Sequence, residues 1–364
     1  MKKGRLLSPV TTPQIPVVVL AGFLGSGKTT VLNHLLRRNG GNRIGVIVND
    51  FGSIEIDAMT VAGQVGSSVS LGNGCLCCAV DATELDDYLE LLTRPAARID
   101  IIVIEASGLA EPQELMRMLL ASDNPRIVYG GLVEVVDAAE FDATRSRHPE
   151  IDRHLAIADL VVLNKTDRVG QTGLDRVRGT LGELSGAAPV IPVVHGRVGH
   201  EVLFDPAARP EREEKARQLS FEDLYADDDE CEGDHAGHLH AAYESVGFTA
   251  QEPMHPRRLM DFLDSRPEGL YRIKGFVDFG EADLRNRYAV HAVGRFLRFY
   301  PEPWPRGTER LTQLVLIGSG VDADKLREAL DECRTAGPQD APDEHSMWGV
   351  LRFVQAEQAE EVDR

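Results

Sequence analysis

The chain has 364 residues, 43% of them hydrophobic, which is enough for two cores of ordinary size. Its 58 acidic against 39 basic residues give a formal charge of −19, which argues against a nucleic-acid partner held on a broad basic surface. The early apolar run "IPVVVLAGFLG" is too short to span a bilayer and leads into a glycine loop rather than a cleavage site, so neither a membrane nor a secretory route is expected. Five cysteines, an odd number with three clustered, make a poor disulfide framework and suit metal binding in a reducing, cytoplasmic setting.

In chain order, apolar runs alternate with helical patterns: "PVVVLAG", a helix near 28–38, "RIGVIVND", a helix near 81–93, "IDIIVIEA", a helix near 111–121, "VYGGLVEVVDA", "DLVVLNK" and "APVIPVV". Continuous Val/Ile runs bounded by polar turns read as strands buried on both faces. The first half is therefore expected to be α/β, a mostly parallel sheet of the P-loop NTPase kind with ligands at the carboxyl ends of its strands.

Three motifs sit at those ends. "GFLGSGKT" matches GxxxxGK[ST] directly after a strand and at the opening of a helix, the context the motif requires. Gly25, Ser26 and Gly27 are expected to turn backbone N–H groups toward a β-phosphate. Lys28 should reach the β- and γ-phosphates, Thr29 should ligate Mg²⁺, and Thr30 should lie beside the nucleotide. "IDIIVIEASG" ends with Glu105, a candidate Mg²⁺ ligand, and Gly108, whose N–H can sense a γ-phosphate. Lys28, Thr29 and Glu105 are the candidate catalytic set.

"VVLNKTD" places Asn164, Lys165 and Asp167 at the end of another apolar strand. A carboxylate at Asp167 can accept from both N1–H and the 2-amino group of guanine, whereas adenine offers no such donors there, so the pattern selects GTP. Asn164 should face the other edge of the base and the Lys165 stem its face, with "VVHG" and its His195 forming a further loop beside it.

Between the first two motifs, "LGNGCLCCAVD" brings Cys75, Cys77 and Cys78 within four positions. Glycines at 72 and 74 let the thiols converge on one ion, yet a structural zinc wants four ligands. The site is thus incomplete unless Asp50, Glu55, a histidine or a second molecule adds one. A redox pair is the weaker reading, because no CxxC spacing is present. A purely structural zinc is a further alternative.

Residues 200–243 change character. "YADDDECEGDHAGHLHAAY" is read as an acidic linker in which Cys231, His235, His238 and His240 could hold zinc or cobalt weakly, set against a solvated loop with no such role. Beyond it, "YESVGFTAQ", a helix near 255–264, "GLYRIKGFVDF", "RYAVHAVG", "FLRFYP", "TQLVLIGSG" and a helix near 321–334 suggest a small α+β domain of three or four adjacent strands. The expected division is a tail over 1–15, a GTPase domain over 16–205, the linker over 206–243, the α+β domain over 244–336 and a tail, helical or frayed, over 337–364. His34 and Cys333 read as packing or surface positions.

Together "GFLGSGKTT", "VNDFGSIEID", "NGCLCC", "EASGLAEP", "NKTD", "HPRRL", "GLYRIKGFV" and "LVLIG" resemble the CobW-like GTPases proposed as metal chaperones, relatives of the nickel-insertion GTPases for urease and hydrogenase. The resemblance implies a GTP- and Mg²⁺-binding domain whose CxCC binds a transition metal, zinc first and cobalt or iron as alternatives, in linkage with GTP and GDP. It also implies a C-terminal domain that touches a metal-requiring client protein. A nucleotide- or metal-dependent homodimer is a further expectation. Where the family reads Asn-Glu-Phe-Gly-Glu, this chain has Asn49, Asp50, Phe51, Gly52 and Ser53, so Asp50 is kept as a ligand and Ser53 dropped. The rival functions are a nucleotide-gated interaction protein with a structural zinc, and cobalt delivery to cobalamin synthesis. Slow GTP turnover is expected, because no arginine finger or water-positioning glutamine can be assigned.

Overall fold

A computed structural model describes residues 14–48, 68–70, 82–108, 111–204, 243–305, 307–337, 340, 342–343 and 345–354. Seven strands, β1 (Ile15–Ala21), β2 (Ile44–Val48), β3 (Ser68–Ser70), β4 (Ile101–Glu105), β5 (Ile127–Asp137), β6 (Leu160–Asn164) and β7 (Val190–Pro192), form one sheet in the order β3-β2-β4-β1-β5-β6-β7. Every pairing in it is parallel. The runs "IGVIV", "IIVIE" and "LVVLN" are buried at each residue, as strands covered on both faces must be.

Helices cover those faces: α1 (Lys28–Arg37), α2 (Ala82–Thr93), α3 (Pro112–Ala121), α4 (Phe141–Arg147), α5 (Ile151–Ile157), α6 (Gln171–Ser185) and the short α7 (His200–Leu203). Helix α3 begins with proline at its first position, where no N–H is needed. Helices α4 to α6 were not singled out by the hydrophobic pattern. The first two have seven residues each, and α6 buries only Val177, Leu181 and Ser185.

One core packs Val18, Leu20, Val31, Leu32, Leu35 and Val103 on the α1 side. The opposite face packs Val17, Val19, Leu85, Leu89, Ile102 and Leu115 under α2 and α3. The chain leaves β1 toward β2 on one side and returns through β4 to β5 on the other. The crevice outside the carboxyl ends of β4, β1 and β5 is therefore the topological switch point where ligands bind such sheets.

The second sheet is antiparallel throughout, β8 (Glu244–Ala250), β9 (Leu270–Val277), β10 (Asn286–Val293), β11 (Phe296–Pro303) and β12 (Thr312–Gly318), in the order β11-β10-β9-β12-β8. It has five strands rather than three or four, because "ESVGFTA" adds an edge strand to β12. Along β8 and β12, Val246, Phe248, Ala250, Leu314 and Leu316 point into the core, while Gly247, Thr249, Gln313 and Val315 alternate outward. Helices α8 (Pro256–Asp264) and α9 (Ala323–Glu332) cover the inner face. The N-cap Asp322 of α9 accepts from the N–H groups of Asp324 and Lys325. The tail contributes α10 (Trp348–Leu351), whose Val350 and preceding Met347 join this core.

The two sheets meet at the far end from the crevice. Tyr271 and Val293 pack into the first sheet's core, His291 Nε2 lies 2.9 Å from Tyr129 O, and Arg272 donates to Leu203 O at 3.0 Å. Asp159 accepts there from the Tyr129 hydroxyl at 2.5 Å and from Leu132 N at 2.9 Å. Among the described residues, no helix is long and apolar enough to cross a membrane.

Candidate nucleotide site

The loop from Gly22 to Gly27 closes over the carboxyl end of β1. Gly22 (φ 144°) and Gly27 (φ 102°) occupy backbone conformations that L side chains rarely adopt. Both also leave no room for a Cβ, which would strike Val135 O at Gly22 and the Asn164 side-chain amide at Gly27. Helix α1 opens at Lys28, so the free N–H groups of its first turn and the positive end of its dipole face the crevice. Lys28 is nearly buried, and its ammonium donates to Gly22 O at 2.9 Å. Thr29 donates through its hydroxyl to Glu105 Oε1 at 2.7 Å, joining the first turn of α1 to the end of β4. A hydroxyl and a carboxylate at this spacing are hard oxygen donors of the kind Mg²⁺ takes beside phosphates. Gly108 lies against the P-loop so closely that a Cβ there would come 2.9 Å from Leu24 N.

On the other side of the loop, Asn164 ends β6 almost fully buried. Its amide donates to Ser26 O at 3.0 Å and accepts from Gly196 N at 2.9 Å. Lys165, at φ 59°, donates to Gly25 O at 2.7 Å and pairs with Asp137 at 2.8 Å. Thr166 is tied to Val193 O through both its N–H and its hydroxyl. These bonds hold the turn carrying Asp167, exposed in the short 3₁₀ segment Thr166–Arg168, against the loop of His195 and Gly196. His195 itself sits at φ 53°, and Gly196 touches the backbone of Thr30 and Val31. The P-loop, the end of β6 and the loop after β7 thus form one hydrogen-bonded rim with an exposed carboxylate at one end and a lysine and a hydroxyl at the other.

Two acidic residues here were not singled out from the sequence. Asp137 anchors Lys165. Glu134, three residues back along β5, is fully buried, and its carboxyl is pushed up to about 8 by burial, with the Lys28 ammonium pulling the other way. Glu134 borders a cavity of about 290 Å³ that also touches Phe23, Ser26, Phe141 and Lys165. The available signal was a charged residue inside the otherwise apolar run "GLVEVVDA".

Cys75, Cys77, Cys78 and Asp50 lie outside the described residues, as do Cys231, His235, His238 and His240 of the linker. Among the described residues, no group of three or more His, Cys, Asp or Glu side chains could hold a metal ion. Cys333 is buried, donates to Ala329 O at 3.2 Å, and has its thiol pushed up to about 11 by burial, which suits packing rather than metal ligation.

The model of the CobW/HypB/UreG nucleotide-binding domain matches residues 16–192, and that of the cobalamin synthesis protein CobW C-terminal domain matches residues 243–334. The chain is 30% identical over 354 residues to a zinc chaperone CobW of a Sinorhizobium species, covering 87% of this chain and 96% of that protein. It is 32% identical over 364 residues to a zinc chaperone CobW of Pseudomonas aeruginosa, covering 88% and 92%. Among solved structures, the Zn(II)-bound YjiA GTPase from E. coli aligns at 23% identity over 89% of this chain and 100% of that one, with a TM-score of 0.43.

Proposed function

The chain belongs to the CobW/HypB/UreG family, and from that premise we propose that it is a GTP-hydrolysing metallochaperone that binds zinc at Cys75, Cys77 and Cys78 and hands it to a metal-requiring client. The observation that carries the nucleotide half is the rim built by Asn164 and Lys165 on the P-loop carbonyls of Ser26 and Gly25. On this reading Asp167, carried by that rim, reads guanine while the first turn of α1 receives the phosphates. Thr29 and Glu105 would hold Mg²⁺, which supplies charge neutralisation on the β- and γ-oxygens.

The chain's own residues do the rest. Lys28 exchanges the Gly22 carbonyl for a phosphate oxygen. Glu105 accepts from Thr29 and so fixes the hydroxyl's direction. Gly108, touching Leu24, registers whether the space beside the loop is filled, and its neighbours in sequence carry that difference onward. Asp50 follows β2 and precedes the cysteines in sequence, and on this proposal nucleotide binding and metal binding at these residues are linked. A coupling of about 1–3 kcal/mol is typical of linked sites.

The proposed division of labour follows the two sheets: residues 16–205 carry GTP and metal, 206–243 connect, and 244–336 meet the client. Zinc leads over cobalt and iron because two relatives that align along most of their length are named zinc chaperones. The deciding experiment is a zinc titration against a competing chelator with GTP, with GDP and without nucleotide. Zinc affinity that differs between states supports the chaperone cycle. Equal affinity in all three favours the rival, a nucleotide-gated interaction protein with a structural zinc.

A further inference from the structure

The second sheet has one face under α8 and α9 and the other turned outward. Cross-strand pairs fix which side chains share that outer face: His291 stands between Arg298 and Lys274, Ala289 between Tyr300 and Phe276, and Val293 between Phe296 and Arg272. The GTPase domain covers the last of these rows. Val293 packs into its core, Arg272 donates to Leu203 O, and the Phe296 ring meets that of Tyr129 at 5.5 Å. The other two rows continue past the junction onto open surface, where Gln313 pairs with Phe276 and Val315 with Lys274. Lys274 and Gln313 are exposed, Val315 is 45% exposed, and Phe276, Arg298 and Tyr300 are half-buried.

Charge on this face runs against the rest of the chain. The chain carries 58 acidic and 39 basic residues, yet the outward positions of the five strands hold Arg272, Lys274, Arg287 and Arg298 against one carboxylate, Glu302. Glu302 is itself paired with Arg287 at 3.1 Å. Arg287 also lies over the Phe276 ring, 3.8 Å from its centroid, and Arg298 lies over Phe296 at 5.7 Å. A face that only meets water gains from interspersed charges of both signs. Arginines set beside aromatic rings, with few acids among them, are instead the composition found where proteins bind one another.

We propose that this face docks an acidic segment of the client protein, with its carboxylates on Lys274 and Arg298 and its apolar side chains on Phe276, Tyr300 and Val315. Lys274 and Arg298 flank His291 on neighbouring strands, so about 10 Å separates their backbones, a span that an extended segment covers in about three residues. Charge selects the class of occupant. Complementary potential favours an acidic partner, whereas a second copy brings a formal charge of −19 against the same charge and is repelled over the rest of its surface. The open rows adjoin the row that the GTPase domain covers, so a segment bound here lies against both units. This inference rests on the reading that residues 244–336 meet the client.

The test uses the full chain and a fluorescein-labelled peptide of repeated Glu-Tyr-Glu-Val, read by anisotropy beside its neutral counterpart of repeated Gln-Tyr-Gln-Val. The acidic peptide should bind at least about tenfold more tightly than the neutral one, and should lose about tenfold or more as salt rises from about 50 to about 500 mM. Both measurements use the wild type, so they stand whatever the variants do. Lys274→Glu combined with Arg298→Glu should weaken the acidic peptide by at least about tenfold and leave GDP affinity unchanged. Arg327→Glu, on α9 at the other face, should leave peptide binding unchanged. Equal binding of the two peptides, binding of neither, or an acidic peptide that the double variant holds as tightly as the wild type overturns the proposal. Replacing the acids of residues 222–234 by their amides tests the chain's own linker: a gain of about tenfold in peptide affinity would make that linker the occupant and overturn the client. A dimer in sedimentation that the double variant dissociates would do the same in favour of a second copy. If the peptide binds as expected while zinc affinity is equal with GTP, with GDP and without nucleotide, the chaperone reading falls and the docking face remains; the reverse pair of results overturns the face alone.

Discussion

The Asn164 side chain donates to Ser26 O at 3.0 Å, a bond between residues 138 apart in sequence. The same amide accepts from Gly196 N at 2.9 Å, so one buried side chain ties together the phosphate loop, the end of β6 and the loop after β7. Without those two bonds the rim has no common anchor.

Asn164→Ala should therefore damage both fold and site. It removes two buried hydrogen bonds and leaves the Ser26 carbonyl and Gly196 N–H without their partner, a loss of about 2–4 kcal/mol in unfolding free energy. GDP affinity should fall by at least about tenfold, because the loops that flank the base and the phosphates no longer share one position. Denaturant unfolding and nucleotide titration measure the two losses separately. A variant that matched the wild type in both would show that the bonds contribute nothing.

Asp167→Asn tests the base site alone. Asp167 is exposed on its 3₁₀ turn, and the hydrogen bonds that fix the turn run through Thr166 and Lys165. Stability should stay within about 0.5 kcal/mol, as for other surface substitutions. GTP binding should weaken by about a hundredfold or more, and xanthosine triphosphate, which carries an acceptor where guanine has its 2-amino donor, should bind better than to the wild type. Unchanged preference for GTP in a competition assay would remove Asp167 from the base site.

How far these neighbours were legible in the sequence depends on what each residue's role requires. Lys28, Thr29, Asn164 and Asp167 could be singled out because their spacing encodes a local turn at the end of a strand, and the turn is most of the geometry. Glu134 and Asp137 could not. What Glu134 touches depends on the register that sets it opposite Ala21, and Asp137 matters because β5 and β6 lie side by side with Asp137 opposite Asn164. Both are pairings between distant segments. Helices α4 and α5 escaped for a different reason: at seven residues each they are too short for an apolar periodicity to stand out.

Thr29→Ala and Glu105→Gln separate two parts of the proposed Mg²⁺ site. The alanine removes the hydroxyl that donates to Glu105 Oε1 at 2.7 Å, while the glutamine keeps shape and loses charge. Both should lower GTP turnover by about a hundredfold or more, in keeping with loss of one electrostatic contributor to phosphoryl transfer. GDP affinity measured without magnesium should change little in either. The discriminating measurement is the magnesium dependence: each variant should need a higher Mg²⁺ concentration for half-maximal turnover. Turnover that kept the wild-type magnesium dependence would place the ion on other ligands.

The junction between the two sheets offers a prediction with a pH signature. Asp159 is buried beside the turn after β10, and burial raises its carboxyl above the usual range, while the Tyr129 hydroxyl, bonded at 2.5 Å, and Leu132 N–H work in the opposite direction. Because the folded value lies above the unfolded one, the ionised acid lowers stability as pH rises through the folded value, and its donors limit that loss. Tyr129→Phe deletes one donor and nothing else of the ring. With the acid ionised it should cost about 1–2 kcal/mol, the expense of leaving a buried carboxylate short of a hydrogen bond. The deficit should shrink as pH falls through the folded value, since the neutral acid needs the donor less. Tyr129 O also receives His291, so the backbone half of the junction stays in place and the effect isolates the hydroxyl. Denaturant unfolding of both proteins over the full pH range in which they stay folded measures it, and a deficit that is constant or grows on acidification throughout would mean that Asp159 does not carry the charge at this junction.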